Sequence, residues 1–261
     1  MIQNILCALD FSSSSRRALG YGLELAERTG ATLHLVHVQE IPLGPFVQGD
    51  PSPALGEDRL QQRFKKKCQE ELETFSFAVD DDQLSYSATR SGAVAPALVQ
   101  YAAKNDIDLI MMGTQGRRGM KRAISGSVAE EVLRTAPCPV LTARSVEERE
   151  QPTRPDPIDQ VVAPVDFSAS SRAALQYAGR LATTYAVPLT LVHVVHVPKL
   201  PAAYDLEYSA ASRQDLEERV QAVLDEWKRD VVADVQDVST AVVTGEPVSS
   251  ILEAASTPGD L

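Results

Sequence analysis

The most specific chemistry in the chain lies in a spaced set of glycines. Gly113-Thr114-Gln115-Gly116 follows an apolar run ending at Met112, and after nine residues Gly126-Ser127-Val128 opens a segment with helical character. Glycine lets a backbone approach a ligand closely and adopt positive φ, while the first turn of a helix offers unpaired N–H groups and partial positive charge. Together these features suit a polyphosphate. Ser127 has two readings: contact with phosphate through its hydroxyl or N–H, or a capping box with Glu130 three residues on. In doubly wound sheets a ligand sits beyond the carboxyl ends of the strands, where strand order reverses, and Asp10, Val38 and Gly113 each end an apolar run. Asp10 can equally cap the first helix beside Ser12.

Alternating elements must position these residues. Ile5 to Leu9 reads as a strand, Ser12 to Ser15 offer cap oxygens before an amphipathic stretch from Arg16 to Arg28, and Gly30 closes it. Thr32 to Val38 reads as a strand, Asp58 to Phe75 as a helix, Leu84 to Thr89 as a strand and Ala93 to Lys104 as a helix. Leu109 to Met112, Val128 to Thr135 and Val140 to Ala143 complete the series as strand, helix and strand. Near-continuous apolar strands alternating with helices require a parallel sheet covered on both faces, an α/β fold.

The chain also repeats itself. Ile2 to Val38 and Ile158 to Val194 align without a gap, with about 17 of 37 positions identical, including Asp-Phe-Ser at 10–12 and 166–168 and Leu-Val-His-Val at 35–38 and 191–194. That level of identity marks a duplication. Residues 146–157, charged and bearing Pro152, Pro155 and Pro157, read as an exposed linker, so 1–145 is a complete domain and 158–261 a second copy. In that copy Val161 to Val165, Leu189 to Val194 and Val238 to Val243 are expected strands. Ala173 to Thr184, Arg213 to Val231 and Pro247 to Ala255 are the expected helices. Asp260-Leu261 aligns with Asp108-Leu109, so the counterparts of the last two strands, the glycine loop and the last helix lie outside the sequence. A shortened gene product is the favoured expectation, and Val161 to Val165 should then stand at a sheet edge unless another segment covers it.

G-x2-G-x9-G-[ST] after a strand, joined to a first strand leading into Asp10-Phe11-Ser12, resembles the ATP-binding branch of the universal stress protein (UspA-like) family, here in tandem form. The resemblance covers residues 1 to 145, including Ala136-Pro137-Cys138-Pro139-Val140-Leu141 before the last strand. It implies a doubly wound five-stranded parallel sheet of order 3-2-1-4-5, adenine nucleotide alpha-hydrolase-like. It also implies ATP or ADP as cofactor, with Mg2+ left open. Gly113, Gly116, Gly126 and Ser127 would then hold phosphates with Arg117 and Arg118 adding charge, Asp10 would lie near the ribose, and the Val38 main chain would face adenine. Met112 and Val128 flank the glycines. Ala8 and Leu9 stand where the family often has a small residue, proline or threonine. The resemblance further implies pairing of fifth strands, hence a homodimer through Val140 to Ala143.

Composition narrows the classes. With 44% hydrophobic and 23% charged residues, the 261-residue chain has ordinary globular character. A net charge of -11 opposes binding to nucleic acid. The longest apolar runs are far too short to span a membrane, which makes a cytoplasmic address the default expectation. Cys7, Cys68 and Cys138 lack CxxC spacing and suggest reduced thiols, and His37 and His193 are lone histidines at strand ends without a second metal ligand nearby. Three functions stay open: a nucleotide-dependent regulator in stress response, a weak ATPase or phosphotransfer enzyme, and a scaffold that binds no nucleotide. Only Asp10 could orient water or magnesium, which favours the regulator and makes turnover at most slow.

Overall fold

A computed structural model describes residues 2–41, 53–114, 126–144, 154–196 and 210–256, and the chain divides into two units, Met1–Asp156 and Pro157–Leu261. In the first, β1 (Asn4–Ala8), α1 (Ser13–Thr29), β2 (Thr32–Glu40), α2 (Pro53–Leu72), β3 (Leu84–Ser91), α3 (Val94–Lys104), β4 (Leu109–Gly113), α4 (Ser127–Thr135) and β5 (Val140–Ala143) alternate. The sheet is parallel with order β3-β2-β1-β4-β5.

Strand alternation divides the core between two helix layers. Leu6, Val36, Ile110 and Met112 pack with Leu98, Ala102, Ala129 and Val132 of α3 and α4. Neighbouring positions face the other way; a Cβ on Gly22 of α1 would lie 3.3 Å from Leu33 and 3.5 Å from Met111. Ile5, Leu6 and Cys7 are fully buried in the central strand, and burying a side chain of the size of Leu6 contributes about 1.5–3 kcal/mol. The outer edge of β3 is blunted by α2. Gln61 donates to the Tyr86 carbonyl at 2.7 Å and accepts from the Ala88 N–H at 2.6 Å, so one side-chain amide replaces a neighbouring strand's rung.

The C-terminal end of the linker is exposed yet tethered. Asp156 pairs with Arg17 of α1 at 2.7 Å, Arg154 donates to the Ser76 carbonyl at 2.8 Å, and Pro155 lies where a Cβ on Gly20 would meet it at 3.3 Å. Residues 146–153 lie outside the described set.

The second unit comprises β6 (Val161–Pro164), α5 (Ala169–Tyr185), β7 (Leu189–Val195), α6 (Ala210–Val231), β8 (Val238–Thr244) and α7 (Pro247–Ser256), with sheet order β6-β7-β8. Its core gathers Leu175, Leu189, Leu191 and Leu224, all fully buried. Among the described residues β6 is an edge strand. The Val165 N–H points to β7, reaching the Val192 carbonyl at 2.8 Å, so the nitrogen of Pro164 faces the open side, where its missing N–H costs no rung. Ala186 ends α5 in the left-handed region at φ 55, where the first unit ends α1 with Gly30 at φ 70. Because a Cβ is strained there, Ala186→Gly should stabilise the chain by about 1 kcal/mol, read as a raised thermal midpoint; a lowered midpoint would show that the strain is negligible.

Candidate functional site

The carboxyl ends of β1, β2 and β4 converge at the point where strand order reverses. Ala8 is in register with Val36 on one side and Met112 on the other, and Gly113 with Ala143, so Leu9-Asp10, Val38 and Gly113 emerge at one edge of the sheet. Leu9 extends the ladder by one bond, its N–H reaching the Val36 carbonyl at 2.8 Å.

Asp10 braces the helix that follows without capping it. Its Oδ1 accepts from the Ser12 N–H at 3.0 Å and from the Ser12 hydroxyl at 2.6 Å, and Ser12 is the N-cap, accepting from the Ser15 N–H at 3.3 Å. The capping alternative for Asp10 is therefore corrected: the residue two positions later has the extended backbone a cap requires. The same holds for Asp166, which accepts from the Ser168 N–H at 2.9 Å while Ser168 caps α5. Hydrogen bonds from Ser168 and Ser171 lower the Asp166 carboxyl to about 2. Its folded pKa is thus depressed, so its stabilising effect is complete above the unfolded value of about 4 and fades as pH falls toward 2. Carbon-detected NMR titration should find its midpoint near 2 and see it rise in Ser168→Ala; a midpoint near 4 in the parent would refute this bracing.

Between Asp10 and Ser12, Phe11 turns the chain at φ 62, a conformation that costs a bulky residue about 1–2 kcal/mol. The cost is offset where its ring meets Phe64 edge-on at 5.9 Å and lies 4.1 Å from the Lys67 ammonium, contacts worth about 0.5–1.5 kcal/mol each. Phe167 repeats the φ of 62 and packs on His193 at 4.6 Å and Trp227 at 5.5 Å. His37 stacks on Phe64 and places Nδ1 2.6 Å from the Leu9 carbonyl, a bond His193 reproduces with Val165 at 2.6 Å. Among the described residues no three His, Cys, Asp or Glu side chains form a metal cluster.

Opposite Asp10, Gly113 presses against α1. A Cβ there would lie 2.7 Å from the Ser14 carbonyl carbon and 2.7 Å from the Ser15 nitrogen. The Thr114 N–H donates to Ala143 at 2.9 Å and the Gly126 N–H to Thr114 at 2.6 Å, so the ends of the segment containing Gly116 and Arg117 meet; those two residues, and Arg118, lie outside the described set. Gly126 is the N-cap of α4, with φ -71 and ψ 147 and no side-chain cap. The Ser127-x-x-Glu130 capping box, one of the two readings of Ser127, is thus corrected: Ser127 is the first helical residue, one position too far along for its hydroxyl to cap. The first-turn N–H groups, those of Ser127 and Val128 among them, have no partner within the helix, and among the described residues no side chain caps them, unlike the serine-capped α1 and α5. Helix N-termini of this kind suit an acceptor or an anion.

The three thiols are buried or half-buried. Burial pushes Cys68 up to about 12 and Cys138 up to about 11, and raises Cys7 further. The sequence reading gave no site role to Phe11, Ser14, Phe64 or Lys67, although the repetition of Asp-Phe-Ser in both copies pointed to the first of them.

The Universal stress protein family model matches residues 1–144 and 157–259. A curated universal stress protein of Methanocaldococcus jannaschii is 30% identical over 145 residues, 55% of this chain and 83% of the relative. One from Thermus aquaticus is 31% identical over 144 residues, 55% of this chain and all of the relative. The crystal structure of a universal stress protein from Archaeoglobus fulgidus aligns with 97% of this chain and 82% of its own, at TM-score 0.59 and 16% identity, a likeness of fold. With both of its halves matched by one family model, and with the 3-2-1-4-5 sheet in the first, this chain belongs to the universal stress protein family.

Proposed function

We propose that the first domain, residues 1–145, binds ATP or ADP at the carboxyl edge of its sheet and that occupancy regulates association during stress. The observation that carries this reading is the N-terminus of α4: its N-cap is Gly126, no side chain among the described residues caps it, and it opens beside Gly113 and Thr114 at the switch point of the sheet. In this reading the phosphates meet Gly126 and the main-chain N–H groups of Ser127 and Val128, with Gly116 and Arg117 supplying further contacts. Asp10 lies at the ribose and the Val38 main chain at the base. Ala8, Leu9 and Met112 form the apolar floor; Leu9 is 3% exposed and Met112 5%. Mg2+ would accompany the phosphates as a counter-ion.

The second domain, 158–261, joined through 146–157, carries the repeated Asp166 and Val194. The reading includes homodimer formation through β5, which stands at the sheet edge, and a cytoplasmic address; no helix among the described residues is long and apolar enough to cross a membrane. A regulator is favoured over a hydrolase because the Asp10 Oδ1 oxygen is engaged by Ser12. Nucleotide released by heat from the purified protein, identified by mass spectrometry, tests this reading. ATP or ADP in near-stoichiometric amount supports it; no nucleotide, together with no uptake of added ATP, would leave the scaffold.

A further inference from the structure

We propose that His37 is a positioning residue that holds the β1–β2 ladder open, so that the Val38 main chain is presented at the carboxyl edge of the sheet as a donor and acceptor pair. In a parallel ladder the N–H and C=O of one residue point to the same neighbour, and successive residues alternate between neighbours. The Thr32 N–H donates to the Gln3 carbonyl at 2.8 Å and the Val36 carbonyl accepts from Leu9 at 2.8 Å. Residues 32, 34, 36 and therefore 38 direct their main-chain groups toward β1. The next rung would run from the Val38 N–H to the Leu9 carbonyl. Among the described residues no backbone bond joins that pair, and the Leu9 carbonyl is met instead by His37 Nδ1 at 2.6 Å. A carbonyl only accepts, so Nδ1 carries the proton.

Three further features fix the ring. It stacks on Phe64 at 5.6 Å and 20°, with Phe64 itself 3% exposed. Phe11 flanks it at 6.2 Å, and the φ of 62 at that residue turns the chain away from β2 straight after Asp10. The second unit builds the same arrangement: the Val165 N–H on Val192 at 2.8 Å, His193 Nδ1 on the Val165 carbonyl at 2.6 Å, and Phe167 at φ 62. An arrangement of bond, turn and stacked ring that recurs in both copies is a built device. The ladder ends by substitution of a side-chain donor for a backbone donor, one residue before the groups that a ligand would read.

The ligand part of this proposal rests on the nucleotide reading above, in which the base lies at the Val38 main chain. The opening of the ladder does not depend on it. The full chain and its His37→Leu and His37→Asn variants separate the two. Asn can place an amide N–H where Nδ1–H stands; Leu cannot. Amide hydrogen exchange read by NMR should show Val38 poorly protected in the parent and in His37→Asn. In His37→Leu the rung closes and protection should rise about tenfold. Binding of adenosine should weaken about tenfold in His37→Leu and recover in His37→Asn, while binding of tripolyphosphate is the same in all three. A Val38 amide as protected in the parent as its ladder neighbours, or His37→Asn behaving as His37→Leu, would overturn the proposal. If the exchange pattern holds and no protein binds adenosine, the base-reading role falls together with the nucleotide reading, and the ladder opening stands.

Discussion

Gly113→Ala is expected to lose on the order of 3 kcal/mol of stability, although it adds a single methyl group. The atoms a Cβ would meet at 2.7 Å are the Ser14 carbonyl carbon and the Ser15 nitrogen, backbone atoms of a helix turn that no rotamer change can move aside. Ser14 is fully buried and Ser15 is 3% exposed, so the turn has no free space to yield into. Shifting it would also pull Ser12 from the Asp10 carboxylate that braces it at 2.6 Å. A urea titration should show a lower midpoint at unchanged slope. A loss below about 0.5 kcal/mol, the range of ordinary surface changes, would contradict the close approach of β4 and α1. ATP binding should fall with the fold in this variant, so such a loss cannot be assigned to phosphate contact.

Gly126→Asp separates folding from binding. Gly126 has φ -71 and ψ 147, the extended conformation of an N-cap, and aspartate is among the preferred residues there. Its carboxylate can accept from the first-turn N–H groups and favours the positive end of the helix, so α4 should be unchanged in stability or gain a few tenths of a kcal/mol. The same carboxylate occupies and repels the position offered to phosphate. ATP affinity should therefore fall at least about a hundredfold, roughly 2.7 kcal/mol or more, at undiminished thermal midpoint. Unchanged affinity in this variant would remove the α4 N-terminus from the site.

The strands were largely legible because a parallel sheet covered on both faces leaves apolar runs with nothing polar to blur them; Val140–Ala143 matches its expected range. The close of α1 was equally readable, since Gly30 does adopt the left-handed conformation, at φ 70, that its residue type suggested. Helix starts were less so. Four serines, Ser12 to Ser15, offered cap oxygens; Ser12 is the cap, and α1 begins at Ser13, three residues ahead of the expected Arg16, with Ser14 and Ser15 buried in its first turn. Helix α2 begins at Pro53, five residues ahead of the expected Asp58, since proline fits the first helical position despite marking loops in isolation. Ser127 was displaced from its cap by the glycine before it. Phe11 at φ 62 has no signature in residue type, because only glycine, asparagine and aspartate advertise that conformation. His37 read only as a lone histidine without a second metal ligand, because its partner, a backbone carbonyl, leaves no trace in a pattern of side chains.

Isothermal titration of ATP into the full chain, with Gly126→Asp alongside, tests most directly whether the carboxyl edge of the first sheet is a nucleotide site. Saturable binding of one ATP per chain, lost in Gly126→Asp at an unchanged thermal midpoint, is the expected result. No heat of binding to the folded parent at millimolar ATP would contradict the nucleotide site and leave a family member that works as a scaffold.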